Sequence, residues 1–187
     1  AHRHQPRLIG FTLPFPGTVY GAFRIAQTIR RLRPRTRIVM GGGFVNTELR
    51  DLRDPRVFDL VDFLTLDDGE KPLECLLEHL AGRRPKDRLL RTLRRERGRV
   101  ILVSDPEIRD PPVRDRGTPT YAGLDLDRCL SVMEVPNPML RLWSDGRWNK
   151  LMLAHGCYWR RCRFCDTTLD YIRRYEPVPV SVTLDRI

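Results

Sequence analysis

The sequence lacks long apolar runs, internal repeats, low-complexity tracts and a dense set of cysteines. No stretch approaches the roughly 20 apolar residues of a membrane-spanning helix, so we expect no membrane partner. The chain has five cysteines, an odd number, and three of them fall between residues 157 and 165. Such a set is a poor disulfide framework and is more typical of metal or redox chemistry in a reducing compartment, which predicts a cytoplasmic location.

The amino end also lacks the apolar stretch of a secretion signal. The first residues read AHRHQPRLIG, and a strand-like run begins at Leu8, almost at once. We therefore expect an internal piece of a longer polypeptide. With 41% hydrophobic and 31% charged residues, the chain can bury a core and is unlike a disordered protein.

Stacking aromatics are missing from the most basic segment, Gly82–Arg99, which supplies much of the formal net charge of +10. One interpretation is a phosphate-binding patch, and the other is a solvated surface rich in arginine. Proteins that bind single strands interleave aromatics with their cations, and this segment does not. Nucleic acid is therefore the less favoured partner.

The first eighty residues alternate between strand and helix periods. Short apolar runs predict strands at Leu8–Leu13, Arg37–Met40 and Asp62–Leu66. The helix after the first run has Thr18 as a candidate N-cap. Strands separated by helices are typical of a parallel sheet whose carboxyl ends meet at one rim, and this predicts an α/β fold.

Past Gly82 the pattern changes to hairpins and linkers. Residues 89–103 predict a hairpin that turns near Glu96–Gly98, and residues 104–123 carry four prolines and read as a linker. A second hairpin turns at Asp145–Gly146, and its second strand leads into Cys157. We expect three parts: residues 1–82, the hairpin and linker 83–147, and 148–187. Cys75 and Cys129 fall on predicted helices, where packed, inert thiols are expected.

Cys157, Cys162 and Cys165 are spaced C-x₄-C-x₂-C, and several sites compete for them. Structural zinc takes four protein ligands, so it needs His155 as the fourth. A plant-type two-iron ferredoxin has the same spacing, but no fourth cysteine follows Cys165. Chance clustering of structural cysteines is a further interpretation. A four-iron cluster held by three thiolates, with one iron left open, is the interpretation that needs no further ligand.

The loop GCYWRRCRFCD, which follows a predicted strand and has Phe164 before its last cysteine, resembles the radical S-adenosylmethionine enzymes. Their usual spacing is C-x₃-C-x₂-C, and the one extra residue here resembles a variant in the branch with an amino-terminal cobalamin-binding domain. The resemblance implies that Cys157, Cys162 and Cys165 bind a 4Fe-4S cluster. Its open iron chelates S-adenosylmethionine, which is cleaved to a 5′-deoxyadenosyl radical, and Phe164 shields the cluster or approaches the adenine.

The glycine run is similar to the cobalamin-binding domains of the same branch. In those domains Ser/Thr-x-Leu ends one strand and Gly-Gly ends the next, as Thr12–Pro14 and Gly41, Gly42 and Gly43 do here, with Pro14 replacing the leucine. The resemblance implies that these residues and Asp67, in a loop that departs from the usual Gly-Glu-Gly-Glu, line the cobalamin tail. The family's Asp-x-His-x-x-Gly loop is expected upstream of the chain.

The resemblance thus implies a partial Rossmann-like sheet of the cobalamin-binding type, a hairpin linker, and the first βα unit of a radical S-adenosylmethionine barrel. It implies cobalamin-dependent methyl transfer or a related radical reaction on an unknown substrate, with an electron donor such as flavodoxin or ferredoxin. No catalytic side chain is assigned. The alternative is a zinc-stapled, basic, nucleic-acid-binding module without catalysis.

Overall fold

The structure is a computed structural model that describes residues 5–125, 128, 139 and 151–187. It divides into two compact units, Ala1–Asp110 and Pro111–Ile187. No helix in the described ranges is long and apolar enough to cross a membrane. Cys129 and the turn at Asp145–Gly146 lie outside the described residues.

The first unit is built on a five-stranded mixed sheet with the strand order β1-β2-β3-β4-β5. Parallel pairing joins β1 to β2 and β2 to β3, and β4 and β5 follow antiparallel. The three predicted parallel strands and their adjacency are confirmed. The strands are β1 (Leu8–Thr12), β2 (Arg37–Gly41), β3 (Phe63–Thr65), β4 (Thr92–Glu96) and β5 (Arg99–Val103).

Helices cover both faces of this sheet because the strand side chains alternate between two apolar cores. Ile38, Met40 and Leu64 face one core, which contains residues from α1 (Pro16–Leu32) and α2 (Gly43–Glu48). Val39 and Phe63 face the other, which contains residues of α3 (Glu70–Leu80). The predicted Rossmann-like layering is therefore present.

The first helix begins three residues earlier than an N-cap at Thr18 would predict. Phe15 is its N-cap and Pro16 occupies the first turn, a position for which the fixed φ of proline is suited. The Thr18 hydroxyl donates to the Phe15 carbonyl oxygen at 2.7 Å instead of capping an N–H. The predicted Thr18 cap is therefore wrong.

The predicted hairpin at residues 89–103 is confirmed, as β4 and β5 pair from Thr92↔Val103 to Glu96↔Arg99. It was expected within the linker part of the chain, whereas β4 pairs with β3 through Leu64↔Leu93. The hairpin thus extends the sheet of the first unit. Burying Leu93 in the core stabilises this extension.

Asp62 joins the amino ends of β2 and β3, at the rim opposite to the glycine run. Its carboxylate accepts from the Ile38 N–H at 2.8 Å and from Arg37 Nη1 at 2.8 Å, and it pairs with Arg30. Arg30 also donates to the Thr36 carbonyl oxygen at 3.1 Å. These charge-assisted bonds fix the starting points of both strands, and so the register of their carboxyl ends.

The described residues of the second unit form short elements. Strand β6 (Ala154–His155) pairs antiparallel with β7 (Glu176–Pro177), and the helices are α4 (Asp170–Arg173) and α5 (Val180–Leu184). A 3-10 turn at Val113–Asp115 opens the unit, and the Val113 side chain is fully buried. Strand β6 leads directly into the three-cysteine segment.

Candidate functional site

The three cysteines lie in a loop, residues 156–169, that begins where β6 ends at His155. The Cys157 N–H donates to the Ile172 carbonyl oxygen at 3.0 Å, which fastens the start of the loop to α4. Within the loop, the Cys165 N–H donates to the Cys162 carbonyl oxygen at 3.3 Å. We refer to residues 156–169 as the cysteine loop.

Gly156 sets the direction in which the chain enters the cysteine loop. Its φ of +72° lies in the left-handed region, which L side chains rarely adopt. A Cβ at this position would overlap the Arg174 carbonyl oxygen and lie 2.6 Å from the Arg174 carbonyl carbon. Glycine is therefore required here for backbone packing, independently of any cofactor.

The three thiols of the cysteine loop are the kind of ligand that soft metals and iron–sulfur clusters prefer. All three are free and half-buried. The backbone N–H groups of Arg160 and then Trp159, directed at the Cys157 sulfur, lower the pKa of that thiol. Arg160 has φ of +53°, and its Nε donates to the Cys157 carbonyl oxygen at 3.1 Å. This turn favours the thiolate, the form that binds metals.

The sulfurs are not gathered around one point. Within the described ranges, no three His, Cys, Asp or Glu side chains form a group that could hold a metal ion. His155, the predicted fourth ligand of the zinc alternative, is buried on β6. The donor set fits a three-thiolate cluster in kind, and binding one requires the cysteine loop to close around it.

The cysteine loop carries three exposed aromatic side chains, Tyr158, Trp159 and Phe164. Phe164 is 90% exposed, so it is not a core residue of this unit. Tyr158 meets Tyr175 edge to face with ring centroids 6.1 Å apart, and the Arg161 guanidinium lies 5.9 Å from the Trp159 ring centroid. The role of Phe164 beside a cluster or adenine stays a prediction.

The second candidate site is the rim where the parallel strands end. Thr12 is in register with Gly41, and β3 ends beside them because Met40 is in register with Leu64. Thr12 is exposed, and Asp67 follows two residues after the end of β3. The sequence prediction that these strand ends share one rim is confirmed.

The glycine run on this rim is explained by close contacts inside the unit. Gly42 has φ of +100°, and a Cβ there would lie 3.0 Å from both the nitrogen and the oxygen of Leu13. A Cβ on Gly41 would lie 2.8 Å from Thr65 Oγ1, and one on Gly43 would lie 3.0 Å from the Pro14 carbonyl oxygen. The missing side chains make room for the protein's own strand ends. A role toward a cobalamin tail stays a prediction.

Asp67 belongs to a polar network that was not predicted from the sequence. Its N–H donates to Asn46 Oδ1 at 2.7 Å, and its carboxylate pairs with Arg50. Arg91 Nε lies 3.7 Å from the same carboxylate, and Arg91 also donates to both oxygens of Asp110, at 2.6 and 2.9 Å. The carboxylate of Asp67 is thus engaged by the protein itself, which orders this rim loop.

Signals for this network in the sequence were weak. Asn46 lies on α2 and Arg50 lies two residues past its last residue. Arg50 Nε donates to the Asn46 carbonyl oxygen at 3.0 Å. Asp67, with φ of +61°, is a non-glycine residue in the left-handed region, where Asp is tolerated. Arg91 and Asp110 are nineteen residues apart, and no local pattern pairs them.

The basic segment Gly82–Arg99 forms ion pairs within the first unit. Six of its basic side chains contact carboxylates of that unit, and the exposed pairs among them contribute little stability each. Cations used in this way are less available to phosphates. The pairs are Arg84–Glu78, Lys86–Glu96, Arg88–Glu107, Arg91–Asp110, Arg94–Glu96 and Arg95–Asp59.

No protein-family model matches the chain, and no curated protein matches it significantly. Among solved structures, the chain is similar to the cobalamin-dependent S-adenosylmethionine radical enzyme OxsB with aqua-cobalamin and S-adenosylmethionine bound, at TM-score 0.70 and 21% identity. It is also similar to OxsB with aqua-cobalamin alone, at TM-score 0.67 and 22% identity. The apo, selenomethionine-labelled form gives TM-score 0.62 and 19% identity.

Each likeness covers 97% of this chain and 23% of the OxsB chain. The chain therefore spans about a quarter of the length of the enzyme that it matches. The mixed five-stranded sheet is consistent with the predicted Rossmann-like, cobalamin-binding type of fold. At this level of identity the likeness shows the fold alone, and the chain has the fold of the stretch of OxsB that it matches.

Proposed function

We propose that the chain is part of a cobalamin-dependent radical S-adenosylmethionine enzyme, with Cys157, Cys162 and Cys165 as ligands of a 4Fe-4S cluster. The supporting observation is the coincidence of two independent features. The fold is similar over 97% of the chain to an enzyme that binds both cobalamin and S-adenosylmethionine. The same chain carries three free thiols on one loop that starts at a strand end.

The residues of the cysteine loop prepare it for this role. The N–H groups of Trp159 and Arg160 stabilise negative charge on the Cys157 sulfur, whose pKa they lower. Hydrogen bonds to ligating sulfurs also tune the potential of iron–sulfur clusters. When bound, a cluster with one iron free of protein ligands supplies the electron that cleaves S-adenosylmethionine to a 5′-deoxyadenosyl radical.

The rim of the first unit is the proposed binding site of the cobalamin tail. Thr12 and Gly43 are exposed there. The Leu13 backbone is bonded on both sides of Gly42, since its N–H donates to the Gly41 oxygen at 2.8 Å and its oxygen accepts the Phe44 N–H at 2.9 Å. In open α/β sheets, ligands bind outside the carboxyl ends of the strands. Because Asn46 and Arg50 hold the Asp67 loop, this rim keeps its shape before any ligand arrives.

We propose methyl transfer or a related radical reaction on an organic substrate as the activity of the whole protein. Its electrons are expected from a small donor such as flavodoxin or ferredoxin. A cluster of this kind needs reducing surroundings, which favours the cytoplasm. The ion-paired arginines of Gly82–Arg99 favour a substrate other than nucleic acid.

Metal analysis after anaerobic reconstitution with iron and sulfide tests the cluster. We expect about four iron and four sulfide per chain and retention of most of the iron in His155→Ala. One zinc per chain, lost in His155→Ala, would contradict the proposal and support a Cys₃His zinc site.

Cobalamin binding is tested separately with the full-length protein, followed by the shift in cobalamin absorbance. Thr12→Trp places a bulky side chain on the rim and is expected to weaken binding at least tenfold, which corresponds to about 1.4 kcal/mol. Thr118→Trp, at an exposed position of the second unit, is the matched control. Equal affinities of the two variants would show that the cobalamin site lies elsewhere.

A further inference from the structure

A segment at the start of the second unit is fastened by two charged side chains. The Val113 N–H donates to Glu176 Oε1 at 2.9 Å. Arg186 Nη2 donates to the carbonyl oxygens of Val113 at 3.3 Å and Arg116 at 2.8 Å. The backbone N–H of Val113 is therefore bonded to an anionic side chain, and its carbonyl oxygen is bonded to a cationic one. We refer to residues 111–117 as the anchored segment.

The anchor is built into the unit and is unlike a loose surface pair. The Val113 side chain is completely buried, and Glu176 is half-buried. Burial acts to raise the pKa of Glu176, but the Val113 N–H and the Arg174 guanidinium outweigh it, so that the pKa is lowered. Charge-assisted bonds in partly buried positions are stronger than neutral ones.

Glu176 also stands next to the cysteine loop through the β6–β7 pair. It is in register with His155, which is two residues before Cys157. Just before β7, the Ile172 carbonyl oxygen accepts the Cys157 N–H. The residues 170–177 thus hold the cysteine loop with their backbone and the anchored segment with the Glu176 side chain. We call residues 170–177 the support segment.

A change at one attachment can reach the other through the support segment, because residues of that segment bond to both. It has only four helical residues, Asp170–Arg173, and a two-residue strand, so it has few bonds of its own to keep its shape. Short elements of this kind depend on their tertiary contacts. Release of the anchored segment is therefore expected to loosen the position of the Ile172 carbonyl and of Gly156.

We propose that Glu176 is a positioning residue that couples the anchored segment to the order of the cysteine loop. The coupling concerns the protein alone. That the ordered loop receives a cluster rests on the proposed function. Movement or proteolysis of residues 111–117 would then lower the affinity of the three thiols for iron, although this segment need not contact the metal.

Two measurements on the same variants test the coupling in the metal-free chain. Limited trypsin digestion, followed by mass spectrometry at the bonds after Arg114 and Arg116, reports on the anchored segment. Amide hydrogen exchange of Cys157 reports on the cysteine loop. Glu176→Ala is expected to raise both rates about tenfold, the factor expected for loss of a charged hydrogen bond. Glu176→Gln keeps an acceptor for Val113 and is expected to fall in between.

Asp185→Ala removes an exposed carboxylate of the same unit and is the matched control, with both rates unchanged. Faster cleavage in Glu176→Ala with unchanged Cys157 exchange would overturn the coupling, and so would two unchanged rates. If Glu176→Ala does not fold, Arg186→Met decides by the same criteria, because it releases the same segment from the other side. Absence of iron in the wild-type chain would refute the cluster and leave the exchange result to decide the coupling.

Discussion

Gly156→Ala is the substitution whose effect the structure defines most sharply. The added methyl would meet the backbone of Arg174, 2.6 Å from its carbonyl carbon, and 3.2 Å from the Ile172 oxygen. Backbone atoms cannot turn away as a flexible side chain can. The φ of +72° adds a cost of about 1–2 kcal/mol for a residue with a Cβ.

Relief of this overlap requires the start of the cysteine loop to separate from the support segment. The 3.0 Å bond from the Cys157 N–H to the Ile172 oxygen is then lost, at about 1 kcal/mol. Together the two terms give about 2–3 kcal/mol, and each 1.4 kcal/mol is a factor of ten in an equilibrium constant. Local opening at Cys157 is therefore expected to increase about thirtyfold to a hundredfold.

Amide hydrogen exchange of residues 153–158, measured by mass spectrometry, reports this opening directly. Gly117→Ala is the control, because a Cβ at Gly117 meets nothing within 4 Å and its φ is not in the left-handed region. Gly117→Ala should exchange like the wild type. Wild-type protection of Cys157 in Gly156→Ala would refute the geometry described for the entry into the loop.

Three further outcomes follow from the described contacts. Gly42→Ala should lower the free energy of unfolding, measured in urea, by about 2 kcal/mol because Gly42 has φ of +100°. Gly21 lies within α1, where an added Cβ meets nothing within 4 Å, so Gly21→Ala should raise the free energy of unfolding by about 0.5–1 kcal/mol. Equal effects of the two substitutions would contradict the close contact at Gly42. In the metal-free protein, iodoacetamide should modify Cys157 before Cys75, because backbone N–H groups lower the pKa of the first thiol and burial raises that of the second; the reverse order by mass spectrometry would contradict this. The pKa of Glu176 is lowered on folding, so the stability that its charge contributes is complete above its ordinary pKa of 4.5 and is lost as the pH falls through the folded pKa. The difference in Tm between the wild type and Glu176→Gln should therefore shrink below about pH 4.5. A constant difference would show that the Glu176 charge has no such role.

The sheet of the first unit could be predicted because each of its signals is local. Apolar runs of β-branched and aliphatic residues separated by helical periods fix the parallel order of β1, β2 and β3, and glycines mark where β2 ends. The pairing of β4 with β3 could not be predicted in this way. It depends on burial of Leu93 against the distant core, a contact with no local pattern.

The candidate sites were predictable in position and less so in detail. The spacing of Cys157, Cys162 and Cys165 indicates a set of metal ligands whatever the backbone conformation. The spacing does not indicate that the loop has to close before the three sulfurs can contact one cluster. The glycine run was expected to admit a nucleotide tail, and the structure shows that Gly42 is required by Leu13 of the same unit. Long-range ion pairs such as Arg91–Asp110 leave no trace in local sequence.

Iron content of reconstituted Cys162→Ala tests most directly whether three thiolates hold one cluster. Cys75→Ala is the control, since Cys75 is a free, fully buried thiol on α3. We expect about four iron in the control, as in the wild type. In Cys162→Ala we expect loss of the four-iron cluster with its brown absorbance, because two thiolates cannot retain it stably. An intact four-iron cluster in Cys162→Ala would contradict the assignment.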